Sequence, residues 1–295
     1  MITIFSHVKA FQGIFDIVQN NAIRSWRSIS EDLEIIIFGD VFGAREICSE
    51  INATHIYQVM QSNNGMPKLN YLFDEVRKRS RYNQFCYINA DIILPNDFVK
   101  QAKSLLEFKK YLGIGNRYDT DFHEKINFNN DDWWGIHIDK IKRKGKWHQQ
   151  GGADYFLFDK STFLNMPDVY LGLPGSDNWL IWEARRNRIP VIDLTDSIMA
   201  IHQNHDYSHL DSKGTLNKSG YKYYKYGDEA NHNRKLVSIA LNLNDANWHS
   251  KSGKIRKKTS KEFLNRNFNK LPFLFPKFSF LIIFYKKVLR KFGFL

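Results

Sequence analysis

Three polar clusters stand out of otherwise apolar surroundings in this sequence. The first is Asn89-Ala90-Asp91, inside the strand-forming run Phe85-Cys86-Tyr87-Ile88-Asn89-Ala90-Asp91-Ile92-Ile93-Leu94 that Pro95 closes. Burying two unpaired polar groups in a strand costs roughly 1–3 kcal/mol each, so the strand is expected to end near Ile88 at the rim of a sheet. Asn89 and Asp91 then project into a site. Oxygen-bearing side chains at i and i+2 suit a hard divalent cation, a sugar hydroxyl, or both. The second cluster has two parts. Gly151-Gly152-Ala153-Asp154-Tyr155-Phe156 is a glycine turn running into a strand, where another molecule can approach the backbone closely. Gly175-Ser176-Asp177-Asn178-Trp179 is a turn opening a helix, with Asp177 placed either to cap that helix or to act as a general base or hydroxyl ligand. The third is His202-Gln203-Asn204-His205-Asp206-Tyr207-Ser208-His209, which holds three of the ten histidines. A neutral imidazole there is able to complete a cation site begun by Asp91, whereas no paired cysteines support closed structural zinc.

The elements that must carry these residues follow from periodicity. Residues 2–8 read as a first strand, and residues 12–28 have apolar positions at helical spacing, from Ile14 to Trp26. Residues 34–38 (Glu-Ile-Ile-Ile-Phe) are a continuous apolar run of the buried parallel type, ending at Gly39-Asp40. A short helix is expected over 43–51, a third strand over 53–59, a loop over 62–67 and a helix over 69–81, before the strand that ends at Asn89. Strands alternating with helices predict an α/β fold with a doubly wound, mostly parallel sheet. Ligands bind such sheets at the carboxyl ends of the strands, where Ser6-His7, Asp40 and Asn89/Asp91 all fall. Residues 116–150 are polar and aromatic without periodicity and read as a loop or lid beside the site.

The size and composition fit one α/β domain with additions: 295 residues, 43% hydrophobic and 25% charged. Cys48 and Cys86 read as reduced core residues, and the start Met-Ile-Thr-Ile-Phe-Ser lacks the pattern of a signal peptide. The net charge of +12 is confined to the end of the chain. Residues 251–295 hold 13 Lys/Arg and one acid, Glu262, whereas residues 1–250 are neutral. Residues 251–270 read as a basic linker. In residues 271–295 aromatic and aliphatic side chains alternate with Lys286, Lys287, Arg290 and Lys291, which suits a helix lying in an anionic membrane surface. Its uncharged stretch is far short of the roughly 20 residues that span a bilayer.

Together, strand-Asn-Ala-Asp, Gly-Gly-x-Asp-Tyr-Phe, Gly-x-Asp-Asn-Trp-Leu-Ile and Ile-His-Gln-Asn-His-Asp-Tyr-Ser-His resemble bacterial-type glycosyltransferases of the GT-A fold, family 2-like, over roughly residues 1–210. The resemblance implies a Rossmann-like sheet and a hexosyltransferase-like enzyme that moves a sugar from a nucleotide-sugar donor to an acceptor hydroxyl. Cell-surface polysaccharide or glycolipid assembly is the setting it suggests. It places the nucleotide-sugar half in residues 1–115 and the acceptor half in 116–250. Asp91 takes the place of the last residue of the D-x-D motif, which holds Mn²⁺ or Mg²⁺ at the donor diphosphate, with His202 or His205 completing the shell. Asn89, in place of the first Asp, can bind the donor but brings no charge. Ser6, Asp40 and Lys68 join the donor side, with Asp40 at the base and Lys68 at phosphate. Gly152, Asp154, Tyr155, Asn178 and Trp179 form the acceptor side, and Asp177 is the base of an inverting reaction. Trp133, Trp134 and Trp179 suit stacking on sugar faces. The acceptor is expected to be a glycan or lipid-linked, and the enzyme cytoplasmic and peripheral to the membrane. A nucleotidyltransferase would share the sheet and the carboxylates, but no glycine-rich N-terminal phosphate loop is present. A nucleic-acid binder would use the basic tail, against which stand the tail's Phe/Leu content and the neutral body.

Overall fold

The computed structural model describes residues 1–148, 152–205, 227–251 and 253–292. Strands Ile2–His7 (β1), Glu34–Phe38 (β2), Thr54–Ile56 (β3) and Gln84–Ile88 (β4) are all parallel, with β1 between β2 and β4. Helices Ile14–Ile29 (α1), Ala44–Glu50 (α2) and Leu69–Arg79 (α3) connect them. Both faces of this sheet are covered. Ile2, Ile4, Ile35 and Ile37 pack with Trp26 on one face, and Phe5, Ile36 and Phe38 pack with Phe73 on the other. This two-sided burial is why β2 reads as an unbroken apolar run.

After β4 the chain alternates between two sheets. Ile92–Ile93 (β5) starts a small sheet and is followed by helix Phe98–Lys103 (α4). Leu112–Ile114 (β6) rejoins the large sheet, and Arg117–Thr120 (β7) enters the small one. Helix Trp133–Arg143 (α5) and strand Gly145–Trp147 (β8) follow. Tyr155–Asp159 (β9) inserts antiparallel between β4 and β6. Helix Ser176–Arg186 (α6) leads to Val191–Asp193 (β10), parallel to β6, and then to Ala200–Gln203 (β11) in the small sheet. Helix Gly227–Lys235 (α7), strands Trp248–Lys251 (β12) and Lys254–Lys257 (β13), and helices Lys261–Leu274 (α8) and Ser279–Lys291 (α9) complete the described chain. The large sheet has the order β13-β12-β10-β6-β9-β4-β1-β2-β3 and the small one β5-β11-β7-β8. The mostly parallel, doubly wound α/β architecture expected from the sequence is what the chain adopts.

Two sequence expectations are corrected. Residues 116–148 are not a lid but β7, α5 and β8, with a core of their own in which Phe122, Ile126, Trp133 and Ile141 meet Ile93 and Ile201. Strands of three or four residues are too short to display a period. Residues 251–270 are likewise not a linker. β12 extends the large sheet beside β10, and β13 pairs with β12 as its basic edge. The buried Asp245 carboxylate holds Arg266 at 2.7 and 3.0 Å and Lys270 at 2.8 Å, which anchors α8. Beyond it α8 and α9 fold against each other, with the Phe268 and Tyr285 ring centroids 6.0 Å apart. No residue of α9 is buried, and Phe280 is 79% exposed. Among the described residues no helix is long and apolar enough to cross a membrane.

Candidate functional site

Three passages from the large sheet to the small one (β4 to β5, β6 to β7, β10 to β11) part the two sheets and leave a cavity of about 840 Å³ between their strand ends. The first passage is Asn89-Ala90-Asp91. The Asn89 amide donates to the Asp154 carbonyl at 2.9 Å, and its side-chain Nδ2 donates to Asp154 Oδ1 at 2.7 Å. The bend is thereby tied to the entry of β9. A second carboxylate at position 89 would face Asp154 at that distance with no proton to share, which accounts physically for an amide here. The second passage delivers Arg117. Its Nη1 donates to both Asp154 oxygens at 3.0 and 2.9 Å, and its Nε donates to Asp119 Oδ1 at 2.8 Å.

The third passage delivers His202, at the end of β11, with His205 just beyond. His205 Nε2 lies 3.0 Å and His202 Nε2 3.7 Å from Asp91 Oδ2, and one ligand atom from each of the three residues falls within 4.8 Å of the others. Asp91 Oδ1 is buried and has no hydrogen-bond partner among the described residues. An orphaned carboxylate oxygen beside two imidazoles fits a divalent cation, and these three side chains are the ones that would hold it. Behind them, Asp119 Oδ1 lies 3.0 Å from His202 Nδ1, and Asp119 Oδ2 lies 2.6 Å from His148 Nδ1. The Asp119 charge beside the far ring nitrogen of His202, close but outside hydrogen-bond geometry, leaves Nε2 as the nitrogen on the Asp91 side. Burial pushes the Asp91 carboxyl up, but the His205 hydrogen bond and the His202, His205 and Arg117 charges outweigh it and hold it below the usual range. Asp119 is held very low in the same way, by His202, His148 and Arg117 against its burial.

Asp177 lines the cavity in the first turn of α6. Gly175, at φ +99°, occupies the cap position, and the Asp177 side chain makes no capping hydrogen bond, so the capping alternative does not hold. Burial, and then the Asp154 charge, raise its carboxyl from 3.8 to about 7. A carboxylate poised there is suited to accept a proton from a hydroxyl near neutrality. Of the remaining residues singled out from sequence, Asp40, Asn89, Asp154 and Asn178 line the same cavity.

Others sit elsewhere. The Ser6 hydroxyl is buried and donates to the Ile88 carbonyl at 2.6 Å, joining β1 to β4 rather than facing a ligand. Lys68 pairs with Asp168 at 2.6 Å and is not among the described cavity-lining residues. Gly152 lies against the His148 ring and also outside that lining. Tyr155 is wholly buried, its side chain turned into the core beneath Gly115. Trp179 packs on Phe163 at 6.0 Å and Trp133 lies in the small-sheet core, both at most 3% exposed, so neither stacks on a sugar face. Trp134 packs edge-on against Trp133, away from the cavity. Asp206, Tyr207, Ser208, His209 and Gly151 lie outside the described residues. His7, expected at a ligand-binding strand end, does line the cavity, and so do Lys9, Tyr57 and Arg117, which the sequence does not single out, with Asp119 behind them. Arg117 and Asp119 carry a signal, since charges at i and i+2 point to one face of a strand, within a segment whose lack of periodicity predicts a loop or lid.

This is a GT-A-like fold with a polar site at its strand ends. No family model and no curated protein sequence matches the chain. Among solved structures, it is similar to residues 1–349 of TarS from S. aureus in complex with UDP-GlcNAc: TM-score 0.51 and 12% identity, covering 91% of this chain and 72% of that one. Two more distant likenesses are a protein of Desulfovibrio desulfuricans G20 described as a nucleotide-diphospho-sugar transferase (TM-score 0.42, 14% identity, 80% and 96% covered) and glucosyl-3-phosphoglycerate synthase from Mycobacterium tuberculosis in complex with Mg²⁺ and UDP (TM-score 0.44, 12% identity, 71% and 74% covered).

Proposed function

We propose that this chain is a glycosyltransferase that transfers a sugar from a nucleotide-sugar donor to an acceptor hydroxyl. The observation that carries the reading is one cavity, at the strand ends of a GT-A-like fold, that joins Asp91, His202 and His205 to Asp177. Asp91, His202 and His205 hold Mn²⁺ or Mg²⁺. When bound, the cation neutralises charge on the diphosphate leaving group. Asp40, with neighbouring His7 and Tyr57, lines the part of the cavity that takes the nucleoside. Asp154, fixed by Arg117 and Asn89, and Asn178, fixed by the Leu241 carbonyl at 2.6 Å, shape the acceptor side. Asp177 accepts the acceptor proton as its oxygen attacks.

The acceptor is a glycan or lipid-linked saccharide of the cell surface, met at the cytoplasmic face of the membrane. The α8–α9 hairpin supports this placement, because its exposed Phe280, Leu281, Phe284 and Tyr285 are followed directly by Lys286, Lys287 and Arg290. A thermal-shift screen of UDP-, GDP-, dTDP- and CMP-sugars with and without Mn²⁺ tests the donor reading. One sugar nucleotide is expected to raise the melting temperature, more so with the metal. Sugar transfer or hydrolysis that survives both Asp91→Ala and Asp177→Ala would refute the assignment.

A further inference from the structure

The cavity offers a second cationic point for the donor diphosphate that the metal corner does not supply. Among its described lining residues the Lys/Arg side chains are Lys9 and Arg117. Arg117 is bonded to Asp119 and Asp154, one guanidinium between two carboxylates. Lys9 sits in the bend after β1, and that bend is held in place with unusual completeness. The Val8 amide bonds to the Phe38 carbonyl at 2.9 Å. The buried Gln19 side chain accepts from the Lys9 amide and donates to the Lys9 carbonyl, each at 2.8 Å. A buried amide spent on both backbone groups of one residue fixes where its side chain starts.

From there the ammonium reaches the ring of Phe15, 4.4 Å from its centroid, and Phe15 in turn lies 5.0 Å from the His205 ring. Lys9, Phe15, His205 and Asp91 thus follow one another along the cavity wall, with His7 and Asp40 on the nucleoside side. His7 does not compete for the anion, because burial, and then the Lys9 charge, lower it to about 4 and leave it neutral.

We infer that Lys9 binds the donor diphosphate directly, on the side away from the metal corner. This rests on the glycosyltransferase reading and adds a residue to it. A nucleotide-sugar diphosphate carries two negative charges. A divalent cation at the Asp91 corner and the Lys9 ammonium on the same wall would each bring positive charge to it. The site therefore keeps part of its grip on phosphate when the divalent ion is removed.

The test compares the full-length wild type with Lys9→Ala and Lys9→Arg by calorimetric titration of uridine, guanosine, UDP and GDP, in Mn²⁺ and in EDTA. In EDTA, Lys9→Ala is expected to weaken the preferred nucleoside diphosphate about 10- to 100-fold, the scale of one charge-assisted hydrogen bond. Affinity for the parent nucleoside stays as in the wild type, and Lys9→Arg restores most of the loss. The salt dependence of diphosphate binding falls in Lys9→Ala. Wild-type diphosphate binding that Lys9→Ala reproduces in EDTA overturns the inference alone, as does an equal loss for nucleoside and diphosphate. A wild type that binds none of the four ligands overturns the glycosyltransferase reading along with it.

Discussion

Asp177 and Asp154 are both carboxylates in one cavity, yet their surroundings separate them. Arg117 and Asn89 satisfy Asp154, whereas Asp177 has burial and a like charge to contend with. As the proposed base, Asp177 would have to be ionised, so transfer is expected to rise with pH through about 7 and then level. Asp177→Asn is expected to lower turnover by about 10²–10⁴-fold. The same shift has the opposite sign for stability. With a folded pKa above its ordinary 3.8, the fold favours the neutral carboxyl, and its contribution is lost as pH rises toward 7. Asp177→Asn should therefore melt higher than wild type at alkaline pH and the same at acid pH; equal melting curves throughout would show that the carboxyl is not strained. Asn89→Asp makes the converse point. It would set two carboxylates where Nδ2 now donates at 2.7 Å, so its melting temperature should drop at neutral pH and recover in acid, as the pair takes up a proton. An undiminished melting temperature at neutral pH would show that the amide is not required.

The elements explain which parts of this site were legible in the sequence. β2 and the helix over 69–79 fall almost where periodicity places them, because each buries a regular apolar face. Asp91, Asp177 and His202 were visible as polar residues at the ends of apolar runs. Arg117 and Asp119 were not, because β7 is a four-residue strand whose partner β11 lies some 80 positions away, and no local pattern encodes that pairing. β13, within the residues expected to form a linker, is illegible for a related reason: an edge strand reading Lys-Ile-Arg-Lys buries too little to leave a hydrophobic signature. The tightest element-level constraint is at Gly115, between β6 and β7. A Cβ there would meet the Tyr155 hydroxyl at 2.0 Å. Gly115→Ala is expected to cost about 1–3 kcal/mol through overpacking, read as a lower urea midpoint with unchanged slope. A neutral effect would mean that Tyr155 can turn aside at no cost.

At the scale of the molecule, the basic appendage divides into two physically different parts. Its first part belongs to the fold, since Arg266 and Lys270 meet buried Asp245 and Leu274 is buried. Cutting the chain near residue 250 would therefore damage the domain, and the membrane proposal is better tested by surface substitution. Phe280→Ser with Phe284→Ser changes side chains that are 79% and 60% exposed, so the melting temperature should hold while sedimentation with phosphatidylserine-containing vesicles falls severalfold. Undiminished sedimentation would sink the assignment of this face to lipid.

The threefold passage between sheets has a mechanical corollary. Asp154 stands at the threshold of a strand of the large sheet, His202 and Asp119 are rooted in the small one, and Arg117 staples the two together. Any slip of one sheet on the other must change the Asp91–His202 gap of 3.7 Å. An ion seated there would act as a bolt through both plates, and amide hydrogen exchange in β7 and β11 should slow together when Mn²⁺ is added, well beyond the residues that touch it. Such a cation would do more than balance charge: it would set the stiffness of the frame around the cavity.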